Sequence, residues 1–202
     1  MLFRSSSSST ALLVAAIAAT TLAAPIAERI VGTETCTKRT SGYLTGANGQ
    51  KFAISKDGSR VVNANSGSGG LEVEFQSCDP NFNKWSNSGD GPYGGHIYVP
   101  RANKCLHVPS YNPNVTYKLE LQDCYYSNDS GQFAYNFLQK GSDYYWSGAT
   151  MSDASIIQGQ DNECSDGLFG YQSGEGGAVK TSGTAVVACA SGKNVQTFKI
   201  GS

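Results

Sequence analysis

Beyond about the first thirty residues the chain alternates between apolar and polar positions with a period of two, in runs too short for helices. Leu71, Val73 and Phe75 fall on one face of a stretch whose other face carries Glu72, Glu74 and Gln76. The stretch from Tyr117 to Gln122 repeats the pattern, with Leu119 and Leu121 apolar and Lys118, Glu120 and Gln122 polar. Successive side chains leave a strand on opposite faces, so this period predicts half-buried strands. Between the runs lie clusters of small and polar residues, such as Asn65-Ser-Gly-Ser-Gly-Gly70 and Ser173-Gly-Glu-Gly-Gly177. Such residues supply turn geometry, and many short strands parted by turns predict an all-β barrel or sandwich.

Both strands run into a cysteine, Cys78 and Cys124, and align position for position around it. A looser third copy, Thr184-Ala-Val-Val-Ala-Cys189, puts Val186 where the others have Phe75 and Leu121. Aromatic segments follow each copy: Asn83-Lys-Trp85, Gln132-Phe-Ala-Tyr-Asn-Phe137 and Gln196-Thr-Phe-Lys-Ile200. Together these predict one supersecondary unit used three times. Phe75, Leu121 and Val186 are then expected at equivalent buried positions around a pseudo-threefold axis.

The N-terminus reads differently. Arg4 precedes the hydroxyl-rich run Ser5 to Thr10, an apolar stretch from Ala11 to Ala19 follows, and small residues close it at Ala23 and Ala24. Charge, apolar core and small-residue exit make a signal peptide, and the apolar run is short of the roughly 20 residues of a membrane span. The expected organisation is a signal peptide over residues 1–24, an N-terminal segment over 25–40 and a folded domain over 41–202, secreted to the extracellular space.

That compartment gives the cysteines their meaning. All six, Cys36, Cys78, Cys105, Cys124, Cys164 and Cys189, lie beyond the signal, and an even number there reads as three disulfides of open connectivity. None forms the CxxC pair of a local zinc motif, so no metal or other cofactor is expected. Asn114-Val-Thr116 and Asn128-Asp-Ser130 are glycosylation acceptors for a chain on this route. A formal net charge of −1 leaves no electrostatic footprint for nucleic acid or an anionic membrane. Oligomeric state is not legible.

With these elements placed, the sequence resembles the ricin B-chain type of β-trefoil lectin. That family's repeat opens on a Cys-Leu-x-Val strand, runs to a strand ending in an Asp-Cys pair, and closes on Gln-x-Trp. Here Lys104-Cys-Leu-His-Val108, Leu121-Gln-Asp-Cys124 and Gln132 follow that order, and Cys164-Ser-Asp166, Cys189 and Gln196-Thr-Phe198 echo it. In the first repeat, Arg60-Val-Val stands where the opening cysteine is expected. The resemblance implies a six-stranded barrel capped by three hairpins, with bridges Cys105–Cys124 and Cys164–Cys189 inside repeats. Cys36 and Cys78 are left to pair with each other.

The resemblance also implies sugar sites, in which an acid or amide accepts from vicinal hydroxyls and an aromatic face covers the sugar's C–H surface. In the third repeat Asp166 holds the acid position, with Tyr171 and Gln196 as partners, although Asp166-Gly167 also reads as a turn. The second repeat departs from the pattern: His107 takes the acid position, Tyr111 and Asn112 offer substitutes, and Gln132 is the polar helper. Expected partners are therefore glycans or glycoproteins, bound without catalysis. His96 and His107 are the only histidines, no Gly-x-Ser-x-Gly is present, and Glu72 and Glu74 have no marked opposing carboxylate. The alternative is a secreted protease inhibitor or host-interaction module on the same fold, presenting the loops 79–95 or 158–177.

Overall fold

A computed structural model describes residues 32–64, 69–110, 116–148, 164, 167–173 and 183–201. They belong to one compact unit. The signal peptide, Tyr111, Asn112, Asn114 and Asp166 lie outside the described residues.

The first repeat consists of β1 (Thr35–Gly46), β2 (Lys51–Ile54), β3 (Val61–Ala64) and β4 (Leu71–Asp79). The second holds β5 (Tyr93–Val99), β6 (Lys104–His107), β7 (Tyr117–Lys118), β8 (Glu120–Gln122) and β9 (Phe137–Lys140). The third holds β10 (Asp143–Trp146), β11 (Phe169–Gln172), β12 (Val186–Cys189), β13 (Val195–Gln196) and β14 (Phe198–Gly201). Residues 35–40 thus open the first strand rather than ending a separate segment. The only helical turns among the described residues are two 3-10 helices, Pro100–Ala102 and Ser130–Ala134.

Six strands close a barrel: β1 pairs β4, β4 pairs β5, β5 pairs β9, β9 pairs β10, β10 pairs β14, and β14 returns to β1, all antiparallel. Closure leaves no barrel edge open to pairing with another chain. Hairpins β2–β3, β6–β8 and β11–β12 cap one end. Where they meet, three backbone bonds form a ring. Val61 N–H donates to Leu119 O, Leu119 N–H to Ala185 O, and Ala185 N–H to Val61 O, at 3.0, 2.9 and 2.8 Å. All three side chains are fully buried. One hairpin cannot bury its apolar face, but three around an axis cover one another. The chain is a β-trefoil.

The ring also corrects the repeat register. Val61, Leu119 and Ala185 are equivalent, so the counterpart of the Tyr117–Gln122 stretch in the first repeat is β3, and β4 is a barrel strand. Aligning on cysteine matched strands with different jobs. Leu119 and Leu121 still face inward as the alternation predicts, and so do Leu71, Val73 and Phe75. Ala185, just before β12, and Val187 within it are buried, while Val186 is only half-buried. Leu121 stands three residues before Cys124, whereas the corresponding Val187 stands two before Cys189. That missing residue is why a cysteine-anchored alignment places Val186 inward. Cross-strand pairing makes Phe52, Leu106 and Tyr171 a second equivalent set, each fully buried under its hairpin.

The disulfides are Cys36–Cys78, Cys105–Cys124 and Cys164–Cys189, the pairings the resemblance implies. The first ties β1 to β4 at directly paired positions.

Candidate functional site

A bulge sets up the outer face of the barrel. Between Lys38 and Thr40 the register of β1 against β4 shifts by one residue, which turns Cys36 and Lys38 outward beside Cys78 and Gln76. His96 on β5 lies opposite Gln76, on the same outer face, while the Phe75–Ile97 pair points into the core. Gly95 keeps these strands close, since a Cβ there would sit 1.9 Å from the Gln76 carbonyl oxygen. A segment spanning residues 123–135 lies over this face. Its start is fixed by the Cys105–Cys124 bridge, and its middle pairs with the chain entering β1, where Glu34 N–H donates to Tyr126 O at 2.8 Å.

Gln132 clamps that segment. Its Nε2 donates to the carbonyls of Tyr125 and Ser127 at 2.7 and 2.9 Å, which fixes the orientation of the amide. Its Oε1 then has to accept from His96 Nε2, 2.8 Å away, so the imidazole carries its proton there and Nδ1 is bare. Burial pushes His96 down to about 4, against the opposing hydrogen bond from Gln132. Facing the same nitrogen across 3.5 Å is Glu34 Oε2; both side chains are only 1% exposed. Desolvation raises the Glu34 carboxyl to about 8, with the charge of Asp129 adding to it. Near neutral pH this is a neutral acid beside a neutral imidazole, and neither carboxyl oxygen has a hydrogen-bond partner among the described residues.

Beside this buried pair an open hollow of about 590 Å³ is lined by Gln76, Tyr98, Asn103, Asp123, Cys124 and Tyr126. Asn103 adopts a left-handed backbone, φ 52°, where the chain leaves the 3-10 helix, and its Oδ1 accepts from the Tyr98 hydroxyl at 2.9 Å. Burial, helped by the neighbouring Tyr98, holds the Tyr126 phenol above its ordinary value, so it stays a donor. The Tyr126 ring also lies 5.4 Å from the imidazole of His96. Asp123 is exposed. Thus one carboxylate, two amides and two phenols converge on an open cleft.

A second hollow of about 600 Å³ is lined by Tyr43, Thr45, Lys51, Gly69, Gly70, Lys199, Ile200 and Gly201. Tyr43 is 48% exposed, but the charged residues on this wall are lysines, and Lys199 is already engaged with Asp143 at 2.7 Å. A site that must accept from sugar hydroxyls finds no carboxylate in that lining.

The residues singled out from the sequence do not come together in either hollow. Tyr171 is fully buried, with its ring against Phe52 and Phe198, so it is a core residue rather than a sugar-facing one. Gln196 is its partner across β11 and β13. Gln132 is 1% exposed and works as the clamp. His107 packs on Tyr135, 4.7 Å between ring centroids, and burial lowers its pKa. Asn128 is exposed on the covering segment itself. The hollow's own residues carry one local signal: Asn103 stands two before Cys105, and Asp123 and Tyr126 flank Cys124. A bridge between those cysteines has to bring the three together.

No protein-family model matches the chain, and no curated protein matches it. Among solved structures, chicken interleukin-1β is similar over 84% of this chain and 99% of its own, with 11% identity and a TM-score of 0.50. Two chicken interleukin-1β point mutants cover the same shares at 11% and 10% identity, each with a TM-score of 0.52. Identity this low speaks to architecture alone, and what the two proteins share is the all-β trefoil barrel.

Proposed function

We propose that the chain is a secreted, non-catalytic carbohydrate-binding protein whose site is the hollow between Asp123, Tyr98 and Tyr126. The observation that carries this reading is the convergence there of a carboxylate, the amides of Gln76 and Asn103, and two tyrosines. Asp123 accepts from a pair of vicinal hydroxyls, Asn103 and Gln76 offer both donors and acceptors, and a phenol ring covers a C–H face. The rigid bridge at Cys124 holds the acid in place without a metal. A single open site of this kind gives affinity of about micromolar to millimolar, on the order of −4 to −8 kcal/mol. The N-terminal signal pattern and three disulfides support an extracellular setting.

A glycan array with wild type, Asp123→Ala and Asp166→Ala tests the reading. Saturable binding that is lost in Asp123→Ala and kept in Asp166→Ala supports it. Loss in Asp166→Ala alone moves the site to the third repeat. A blank array for wild type rejects it and leaves the inhibitor or host-interaction reading in front.

A further inference from the structure

Asp123 is the only charged side chain in the lining of the outer-face hollow; the other lining residues, Gln76, Tyr98, Asn103, Cys124 and Tyr126, are neutral. Ion pairs among the described residues engage Glu34, Asp57, Glu74 and Asp143, but not Asp123. Lys38 stands across from Gln76 in the β1–β4 ladder, yet its ammonium donates to Glu74 at 3.0 Å. Glu74 in turn is the cross-strand partner of Tyr98, so a second carboxylate stands beside that tyrosine, neutralised by its own lysine. On the covering segment Asp129 is also occupied, with its oxygens accepting from Gly131 N–H at 2.7 Å and the Tyr125 hydroxyl at 2.6 Å. The hollow is thus an open cleft that carries one uncompensated negative charge.

We infer, on the sugar-binding reading of this hollow, that its preferred ligands are amino sugars with a free, protonated amine, as in deacetylated chitin. An ammonium group gives Asp123 the charge-assisted partner that the chain does not supply. The aromatic walls favour the same charge, because the negative face of a phenol ring attracts a cation. Elsewhere on the barrel the chain fills such a face itself: Arg39 Cζ lies 3.4 Å from the ring centre of Tyr93. Among the described residues no lysine or arginine covers Tyr98 or Tyr126. The amides of Gln76 and Asn103 then meet the neighbouring hydroxyls, since each can both donate and accept.

This arrangement ranks sugars by charge. A neutral sugar takes water from Asp123 and returns only neutral hydrogen bonds, whereas an amino sugar returns an ion pair as well. N-acetylation keeps the ring and the nitrogen but removes the charge, and a uronic acid sets a second carboxylate against Asp123, which repels it. An open ion pair together with a cation–aromatic contact is expected to give roughly tenfold preference for the free amine over its N-acetylated counterpart.

The test is calorimetric titration of the full, disulfide-bonded chain with three neutral-backbone tetramers: tetraglucosamine, tetra-N-acetylglucosamine and cellotetraose. Mildly acidic buffer keeps the glucosamine amines protonated, and near-UV circular dichroism checks the fold of each variant. Wild type should bind tetraglucosamine roughly tenfold more tightly than either of the others, and the ratio should shrink as salt is raised. Asp123→Asn keeps the shape and one acceptor, so it should bind all three tetramers about equally. Asp90→Asn removes the same charge from an exposed loop outside the lining and should keep the preference. Equal or tighter binding of the neutral tetramers by wild type would overturn the inference and leave the sugar-binding reading standing. A preference that survives in Asp123→Asn, or falls as far in Asp90→Asn, would overturn it too, since the net charge of the chain and not the hollow would then select the amine. Binding of none of the three tetramers, together with a blank glycan array, would overturn both.

Discussion

The amide of Val61 donates to the carbonyl of Leu119 at 3.0 Å, linking hairpins of two different repeats directly on the trefoil axis. Leu119 hands the chain of bonds on to Ala185, which returns it to Val61, so each of the three positions is held by both others. Leu119 is fully buried at this junction. Leu119→Ala should therefore lower stability by about 2–5 kcal/mol, read as a shift of the urea unfolding midpoint at unchanged slope. A loss below about 0.5 kcal/mol, typical of surface sites, would mean that the axis is not a packed core.

Gln132 should matter to stability rather than to ligand contact. Gln132→Ala removes the partner of two carbonyls and of His96 Nε2, and water has little access at 1% exposure. Unfolding should show a loss of roughly 1–3 kcal/mol. A variant as stable as wild type would show that the segment over β1 and β5 is held by its backbone contacts alone.

The Glu34–His96 pair gives the stability profile a definite shape. Glu34 has its folded value raised from 4.5 to about 8, so it contributes a loss of stability as pH climbs from about 4.5 to about 8 and nothing further above that. His96 has its value lowered from 6.5 to about 4, so it contributes a gain as pH climbs from about 4 to about 6.5. Between about 4.5 and 6.5 the two slopes oppose each other, and from about 6.5 to 8 only the Glu34 loss remains. Urea melts of wild type and Glu34→Gln should diverge in that upper window, with the variant flat where wild type declines. Parallel profiles there would show that Glu34 is not the buried neutral acid.

The Cys105–Cys124 bridge joins stability to the hollow, since it brings the flanks carrying Asn103 and Asp123 together. Replacing both cysteines by serine should cost roughly 2–5 kcal/mol and lower glycan affinity more than the loss of Cys164–Cys189 does. Calorimetry and sugar titration on the two double variants give the comparison. Equal sugar affinity in both would detach the bridge from the site.

Much of the architecture is written in local chemistry. The alternation of Leu71, Val73 and Phe75 with acids and an amide survives intact, because a barrel wall enforces the period of two at every strand. The repeat register is harder to read. Cysteines in β4 and after β8 invite alignment, yet each serves its own bridge, while the true counterpart of Leu119 is Val61, in a strand with no cysteine. Tyr171 shows the same ambiguity: an aromatic near an acid reads as a sugar platform, but its position equals those of Phe52 and Leu106 under the other hairpins. The hollow escaped notice because its residues are far apart in sequence except around Cys105 and Cys124, and only the bridge unites them. The outer-face group of Glu34, Cys36, Cys78 and His96 depends on one bulge at Arg39, which no period reveals.

The most direct test of the central claim is isothermal titration of wild type and Asp123→Ala with the glycan that scores highest on the array, with thermal unfolding of both followed in parallel. The account predicts saturable micromolar-to-millimolar binding by wild type, no measurable heat from Asp123→Ala, and melting curves that coincide, because an exposed carboxylate contributes little to the core. Undiminished binding by Asp123→Ala at an unchanged melting temperature would contradict it.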